Sequence, residues 1–457
     1  MRYVIVGASH GGHEAALELL TQDPTAEVTI FEQGEFVSFM SCGMELYLTN
    51  QVKDPNTIRN FKPEDITVLG GHVENNAQVR AINDDQHEVT VFHTKTHEEE
   101  QVPYDKLIIS SGVTPARLPV PGAELGNIYL MRGYDWARKL KAKLTDPTVK
   151  EVTIVGAGYI GIEAVESFLQ AGKKVTLIDT LPRVLAAYLN QPMTDLITKR
   201  LVEHGVAIHT GEFVQAYQGS KGQVKQVRTD QGTYETDLVV EAIGVKPSTE
   251  WLAGQVALDK RGWIKTDPYL QTNLPDVYAI GDAILPYSIP AGQPMPIALA
   301  TTARREAQYV VQTMNGLANK RPFKGVVGTS ALSILNYQFA TAGLNEVTAQ
   351  RAGLAVEISN YVDQRRPYYV SSAAGNGQVM VNLVYAPIEH TLLGGAVLAD
   401  QYDVTQLGSV LSLAISQRMT IEDLAEADFF FQPGFDRQWN VLNLAAQHAL
   451  GYGDFTR

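Results

Sequence analysis

Hydrophobic residues near the N-terminus form two short runs separated by a helix-like stretch. The runs are Val4–Gly7 and Val28–Glu32, and the stretch between them is Gly11–Thr21. Continuous apolar runs are typical of strands buried on both faces of a parallel sheet, and helices join such strands. The pattern therefore predicts a parallel βαβ unit at the start of the chain.

A second unit of the same kind begins about 150 residues later. It has an apolar run at Val152–Val155, a helical segment at Ile160–Ala171 and another run at Lys174–Asp179. Two βαβ units indicate two nucleotide-binding domains in an α/β protein.

The last third of the chain, from about Arg321, has a different pattern. Strand-like runs at Gln378–Ala386 and Thr391–Leu398 are followed by a helical run at Val404–Gln417. We therefore expect an α/β fold with two Rossmann-like dinucleotide-binding domains and a C-terminal α+β interface domain.

The composition of the chain limits the kinds of partner that it can bind. The chain has 457 residues, a net charge of −13 and no long basic run, which argues against nucleic acid and anionic membranes as partners. No secretory signal pattern and no apolar run of about 18 residues is visible. A single cysteine excludes an intramolecular disulfide. We therefore expect a cytoplasmic protein that binds neither nucleic acid nor membrane.

The second unit carries the clearer dinucleotide fingerprint. Gly156, Gly158, Ile160 and Gly161 lie between the predicted strand and helix, where glycines permit a tight turn and close approach of the backbone to a pyrophosphate. Asp179 ends the next strand, where a carboxylate would bind ribose hydroxyls and repel a 2′-phosphate. This motif predicts a site for NADH rather than NADPH.

The first unit has a related loop with Gly7, Ser9, Gly11 and Gly12, in which Ser9 replaces the middle glycine. Glu32 ends the next strand and supplies the ribose carboxylate. Two separate sites argue for two different dinucleotides, and FAD with NADH is the common pairing.

Two further segments resemble the pyridine nucleotide–disulfide oxidoreductase superfamily: Thr272–Asp282, its second flavin motif, and Ser110–Pro115, its crossover segment. The resemblance implies that Asp282 holds the ribityl chain of FAD and that Ser110 and Gly112 contact the cofactor. It also implies a split FAD-binding domain at 1–119 and 245–320, an NADH-binding domain at 120–244 and a C-terminal dimerisation domain at 321–457.

Cys42 is the single cysteine, ten residues after Glu32. Disulfide reductases of this superfamily carry a second cysteine five positions later, where this chain has Tyr47. A buried structural thiol is the alternative. We expect Cys42 to begin a helix whose dipole favours the thiolate, which can cycle through sulfenic acid.

Four segments resemble bacterial NADH peroxidases, whose sister families are water-forming NADH oxidases and coenzyme A-disulfide reductases. The segments are Ser9–Gly12, Ser38–Met44, Asn127–Gly133 and Ala427–Pro433. The resemblance implies that Cys42 is the sulfenic acid residue and His10 the active-site histidine. It also implies cofactor contacts at four positions, which are Arg132, Tyr188, Gly244 and Ala300.

The segment Ala298–Arg305 favours the peroxidases, which resemble it in having a basic residue at the position of Arg304. Several oxidases have an apolar residue there. A surface charge is the alternative role for Arg304, and Thr302 departs from the asparagine usual in the peroxidases. His10 could simply be a hydrogen-bond donor at a helix start, but the segment Phe431–Asp436 offers no histidine to replace it.

These features predict an NADH peroxidase in which electrons pass from NADH through FAD to Cys42. His10 and Arg304 would stabilise hydrogen peroxide and the leaving hydroxide. A water-forming NADH oxidase is the main alternative, followed by a coenzyme A-disulfide reductase and a non-enzymatic redox sensor. We expect no metal, and we expect a homodimer or homotetramer in which Phe429–Asp436 contributes to the interface.

Overall fold

The computed structural model describes residues 1–316 and 321–452. A five-stranded parallel sheet contains the first predicted unit. Its strands, in spatial order, are Val277–Ala279, Lys106–Ile109, Arg2–Val6, Glu27–Glu32 and His72–Asn75. The apolar residues of the three central strands are buried in the core of this unit, whereas polar residues such as Arg2, Glu27 and Lys106 lie at the strand starts.

A second five-stranded parallel sheet contains the second unit. Its strands are Ala207–Thr210, Lys174–Asp179, Glu151–Val155, Leu238–Glu241 and Ile128–Leu130. In both sheets the strand that precedes the glycine-rich loop is central. The loop therefore lies at the carboxyl end of the sheet, where open α/β sheets bind their ligands.

The chain passes between the two sheets along an antiparallel pair. Val113–Pro115 leaves the first sheet, and Val245–Pro247 returns beside it. The first sheet thus takes strands from both before and after the second sheet in the sequence. The predicted boundary at residue 320 and the terminal residues 453–457 lie outside the described residues.

A five-stranded antiparallel sheet forms the C-terminal unit. Its strands are Thr329–Ile334, Tyr337–Gly343, Leu392–Ala399, Gln378–Tyr385 and Glu357–Gln364. The two strands predicted in this region are confirmed within one residue at each end. The predicted fold class is confirmed as well.

The remaining strands form small antiparallel sheets on the two nucleotide units and one short hairpin. They are Ala77–Asn83, Glu88–His93 and Glu99–Pro103; Val214–Ser220, Gln223–Thr229 and Thr233–Glu235; and Tyr287–Ser288 with Gln293–Pro294.

The described residues form eleven α-helices. They are α1 His10–Gln22, α2 Met44–Leu48, α3 Pro63–Thr67, α4 Tyr134–Thr145, α5 Tyr159–Gln170, α6 Gln191–Glu203, α7 Ala300–Met314, α8 Glu346–Arg351, α9 Thr405–Ser416, α10 Ile421–Glu426 and α11 Val441–Ala449. Within this part of the chain, none of the helices is long and apolar enough to cross a membrane.

Candidate active site

The two glycine-rich loops have the same construction. Gly7 and Gly156 have φ angles of +98° and +109°, which residues other than glycine rarely adopt. A Cβ on Gly12 would lie 1.9 Å from the carbonyl oxygen of Gly7, and one on Gly161 would lie 1.8 Å from that of Gly156. These glycines let the first helical turn pack onto the preceding strand, which leaves the helix N-terminus open to a phosphate.

Ser9 explains why the first loop tolerates a departure from the glycine pattern. Ser9 is the N-cap of α1 with φ −93°, and Gly158 is the N-cap of α5 with φ −81°. Both angles are allowed for any residue, so serine costs no backbone strain at this position. The Ser9 hydroxyl caps no backbone N–H of α1, which leaves it available to a ligand.

Each predicted ribose carboxylate is fixed to its own loop. Glu32 accepts hydrogen bonds from the backbone N–H groups of Ala8 (3.2 Å) and Gly34 (2.9 Å). Asp179 accepts from those of Ala157 (2.5 Å) and Leu181 (2.6 Å). Burial raises the pKa of Glu32, and the backbone N–H groups oppose that shift by stabilising the carboxylate.

Two neighbouring cavities of about 730 and 390 Å³ share Gly7, Glu32 and Ser111 in their walls. Ser9, Ser110, Gly112 and Arg132 also line the larger one. Cavities of this size accommodate a cofactor. The glycine cradle, the anchored carboxylate and the continuous space fit FAD in an extended conformation.

Asp282 and Arg132 meet at the far end of this cradle. Their side chains are 3.5 Å apart, and Asp282 follows Gly281, whose φ of +69° forms a tight turn at the end of strand Val277–Ala279. Burial raises the pKa of Asp282, whereas the Arg132 guanidinium lowers it. The predicted flavin residues Asp282 and Arg132 are therefore brought together.

An apolar cavity of about 310 Å³ lies between the two nucleotide units and the C-terminal sheet. Asp282, Tyr159, Tyr188 and Leu299 are among its lining residues. The Tyr188 ring stacks on Tyr159 with centroids 3.9 Å apart, and it lies 3.6 Å from the Cβ position of Gly158. Tyr188 thus covers the second loop at the entrance to a pocket large enough for an aromatic ring.

Three other predicted cofactor residues lie at the starts of helices or in a turn. Ala300 begins α7 directly after Leu299. Gly244 has φ +109° and accepts a hydrogen bond from the N–H of Ala116 at 2.9 Å, at the return from the second sheet. Ile160 lies in the first turn of α5.

His10, Arg304 and Asn60 form a polar group beside the first loop. Arg304 donates to Asn60 Oδ1 at 2.9 Å and lies 3.4 Å from the carboxylate of Glu14. Glu14 also accepts from Gln308 at 3.1 Å. The Arg304 guanidinium, although 42% exposed, is therefore held by one partner on α1 and one in the loop that contains Asn60, which favours a fixed position over a loose surface charge.

His10 is a neutral imidazole in this environment. Burial lowers its pKa to about 4; the Arg304 and Arg132 guanidinium groups act in the same direction, and a hydrogen bond with Asn60 opposes them. His10 Nδ1 is buried without a hydrogen-bond partner. The residue begins α1, and its Nδ1 is free to bond a ligand.

Cys42 lies in the 3₁₀ turn Ser41–Gly43, immediately before α2. The expected helix is present but has five residues, so its dipole is weaker than that of a long helix. The Cys42 side chain is exposed in the single chain, contrary to the alternative of a buried structural thiol. Within the described residues no hydrogen bond joins Cys42 to His10 or Arg304, although its neighbour Ser41 lines the larger cavity.

Sequence reasoning missed Glu14, Asn60 and Glu306. Glu14 follows His10 by one helical turn, and that spacing could have pointed to it. Glu306 lies two residues after Arg304 and is fully buried. Asn60 comes from a loop, and no pattern in the sequence marks it.

One group of possible metal ligands occurs within residues 1–316 and 321–452: Glu74, His93 and Glu100, with ligand atoms within 4.8 Å of one another. His93 is hydrogen-bonded to Glu100 at 2.9 Å. None of the three lines the cavities described above, and the expectation that the reaction uses no metal stays a prediction.

Aromatic side chains of the C-terminal unit are exposed between α10 and α11. Phe430 is 66% exposed and Phe435 61%, and Phe431 and Trp439 are nearly half exposed. A surface this apolar is typical of an interface between chains. Phe429, at the start of the run, instead packs against the core.

Comparison with known proteins agrees with this geometry. The model of the pyridine nucleotide-disulphide oxidoreductase family matches residues 1–307, and that of its dimerisation domain matches residues 329–441. An NADH oxidase of Enterococcus faecalis is 38% identical over 98% of this chain and 99% of its own. A coenzyme A disulfide reductase of Staphylococcus aureus is 26% identical over 98% of this chain and 99% of its own.

A solved structure of a related enzyme supports the same family. The water-forming NADH oxidase from Lactobacillus brevis, bound to NADH, superposes with a TM-score of 0.93 at 36% identity, covering 99% of this chain and 98% of that one. The predicted superfamily is thereby confirmed, and so are the two predicted cofactors. The chain belongs to the pyridine nucleotide–disulphide oxidoreductase family, and it is an NADH-dependent flavoprotein oxidoreductase that uses FAD and NAD(H).

Proposed function

We propose that this enzyme is an NADH peroxidase, which reduces hydrogen peroxide to water through Cys42. The observation that carries the proposal is the guanidinium group of Arg304, fixed by Glu14 and Asn60 beside the neutral imidazole of His10. Guanidinium N–H groups stabilise the negative charge that develops on the oxygen leaving from peroxide. An apolar side chain at position 304 would offer no such stabilisation.

Cys42 is the nucleophile in this proposal. Its thiolate attacks one oxygen of hydrogen peroxide, so that an S–O bond forms, the O–O bond breaks and the sulfur becomes a sulfenic acid. The second oxygen leaves as hydroxide beside Arg304 and takes up a proton to become water. His10 orients the peroxide by hydrogen bonding through its ring nitrogens.

When bound, FAD supplies the two-electron transfer from NADH that returns the sulfenic acid to thiolate with release of a second water. The net reaction consumes NADH, hydrogen peroxide and one proton, and it yields NAD⁺ and two waters. Residues of the split first unit would hold FAD: Gly7, Ser9, Gly11, Gly12, Glu32, Ser110, Gly112, Arg132, Asp282 and Ala300.

Residues of the second unit would hold NADH. The loop glycines Gly156, Gly158 and Gly161 leave room for the pyrophosphate at the start of α5. Asp179 would bind the adenosine ribose. Tyr188 would move aside to admit the nicotinamide to the apolar cavity, with Ile160 and Gly244 completing the walls.

We also propose that the working enzyme is at least a homodimer. Cys42 is exposed in the single chain, and a reactive sulfenic acid needs shielding from solvent and other thiols. The exposed aromatic surface of Phe430, Phe431 and Phe435 would provide that shield for the partner chain. Sedimentation of a fully active monomer would contradict this arrangement.

The test compares two electron acceptors in the same protein. Without oxygen, NADH oxidation should depend on added hydrogen peroxide, and Cys42→Ser should abolish it while flavin reduction by NADH persists. A hydroxyl cannot replace the thiolate because it stays protonated at neutral pH. After one equivalent of peroxide, Cys42 should react with dimedone, and NADH should remove that reactivity. Wild-type peroxidase turnover in Cys42→Ser would refute the mechanism.

A water-forming NADH oxidase is the second candidate, because the solved relative at 36% identity carries that name and the Enterococcus faecalis relative at 38% identity is an NADH oxidase. The same experiment separates the two activities. A wild-type enzyme that ignores peroxide but reduces oxygen to water, with loss of that activity in Cys42→Ser, would replace the peroxidase proposal.

A further inference from the structure

Glu306 is a fully buried carboxyl group beneath the flavin-binding turn. It lies in α7, and its Oε2 accepts a hydrogen bond from the backbone N–H of Gly281 at 2.6 Å. Its Oε1 is buried and has no hydrogen-bond partner. Gly281 immediately precedes Asp282, so Glu306 contacts the backbone that positions the carboxylate proposed to hold the ribityl chain.

No cation neutralises Glu306 in the described part of the chain. On α1, which packs against α7, the two acids have partners other than Glu306. Glu14 is paired with Arg304 and accepts from Gln308, and Glu18 accepts from Gln22 and Gln312. On the turn, Asp282 is paired with Arg132.

The remaining ionisable groups on these elements do not change that picture. On α1, His10 and His13 are neutral at physiological pH, because burial lowers the pKa of each to about 4. On α7, Arg305 donates to the carbonyl oxygen of Thr301, and the Tyr309 hydroxyl donates to that of Arg321. Asp282 is therefore the charge that acts on Glu306, and the two carboxyl groups repel each other when both are ionised.

Burial and this repulsion raise the pKa of Glu306 to about 8. Below that pH the group is a neutral acid, which accepts from Gly281 and keeps a proton on its second oxygen. Above that pH it becomes a second buried negative charge beside Asp282, with one amide donor to stabilise it.

We propose that Glu306 is a positioning residue for FAD. As a neutral acid it holds the Gly281–Asp282 turn in place, and loss of its proton weakens the binding of FAD to that turn. The inference rests on the proposed role of Asp282. It is independent of whether the oxidant is peroxide or oxygen, because it concerns retention of FAD and not the reaction at Cys42.

The experiment measures FAD binding to the apoprotein by quenching of flavin fluorescence between pH 6.5 and 9.5. The wild-type Kd should be constant below pH 8 and rise about tenfold per pH unit above it, as expected when binding requires one protonated group. Glu306→Gln keeps the shape and an acceptor for Gly281 but has no proton to lose, so its Kd should stay flat. Glu212→Gln, at a buried carboxyl of the second unit, should behave as wild type.

A second measurement needs no variant to fold. Infrared titration of the wild-type holoenzyme should show a protonated-carboxyl band that disappears near pH 8, in addition to that of partly buried Glu163, whose pKa is raised to about 7. A flat wild-type Kd, a Glu306→Gln protein that keeps the wild-type pH dependence, or a holoenzyme without that band would overturn the proposal.

Discussion

The hydrogen bonds of Asp179 define how its role in NADH selection should be tested. Each carboxylate oxygen already accepts one backbone N–H, Oδ2 from Ala157 and Oδ1 from Leu181. One lone-pair direction on each oxygen remains, which matches the two hydroxyls of an adenosine ribose. Asp179→Ala would leave two N–H groups unpaired and disturb the loop itself. Asp179→Asn is the sharper change, because it keeps one acceptor and removes the charge.

The expected size of the effect follows from these contacts. A hydrogen bond to a charged group contributes about 1.5–3 kcal/mol, which corresponds to roughly 10- to 150-fold in affinity. Asp179→Asn loses the charge and one of the two ribose acceptors, so the rate of flavin reduction at low NADH should fall by about that factor. NADPH should lose far less, because the repulsion of its 2′-phosphate disappears as well. The preference for NADH over NADPH should therefore shrink at least tenfold.

Anaerobic stopped-flow reduction of the flavin is the suitable assay, because it needs no oxidant. Asp237→Asn is the matched control: Asp237 also accepts two backbone N–H groups, from Lys150 and Glu151, but it lies away from the glycine-rich loop. The control should lose thermal stability and keep its cofactor preference. An unchanged NADH-to-NADPH ratio in Asp179→Asn, or an equal change in the control, would refute the assignment of Asp179 to the ribose.

Three further outcomes are expected. Arg304→Met removes a cation that lowers the pKa of His10, so the acidic limit of peroxide-dependent turnover should lie at higher pH than in the wild type; an unmoved limit would separate His10 from turnover. Gly12→Ala should yield protein without FAD, because its Cβ would lie 1.9 Å from the Gly7 carbonyl, whereas Ser9→Gly should retain FAD affinity within about threefold; similar FAD contents would contradict the loop geometry. Phe431→Asp should weaken the dimer in sedimentation while FAD remains bound, and an unchanged dimer would place the interface elsewhere.

The nucleotide units were predictable because their signals are local. The alternation of apolar strand, glycine-rich loop and helix is set by residues within about thirty positions of one another. The two carboxylates could be identified for the same reason, since a strand of known length ends where Glu32 and Asp179 stand. Even the departure at Ser9 is consistent with the local backbone, because that position has a negative φ in both loops.

The group around His10 was only partly predictable, because its members are far apart in the sequence. Arg304 and Asn60 are 244 positions apart, and their contact depends on how α7 packs against the loop that contains Asn60. The pattern of charges alone left Arg304 as either a surface residue or a site residue. Packing brings the Arg304 guanidinium to Glu14, which Gln308 also contacts, and the part that Arg304 plays in the reaction stays a proposal.

The register of α7 determines which of its side chains lie beside His10 and which lie beneath the Gly281 turn. Successive residues of a helix are about 100° apart, so Ala300 and Arg304 share one face while Glu306 points nearly opposite to Arg304. Because the helix begins at Ala300, the shared face carries both the proposed flavin contact and the cation beside His10. The other side then places Glu306 under Gly281, where its single hydrogen bond forms. A one-residue change in the register of α7 would rotate Arg304 away from Glu14 and Glu306 away from the turn, so the register of one helix couples the proposed peroxide side of the site to its proposed flavin side.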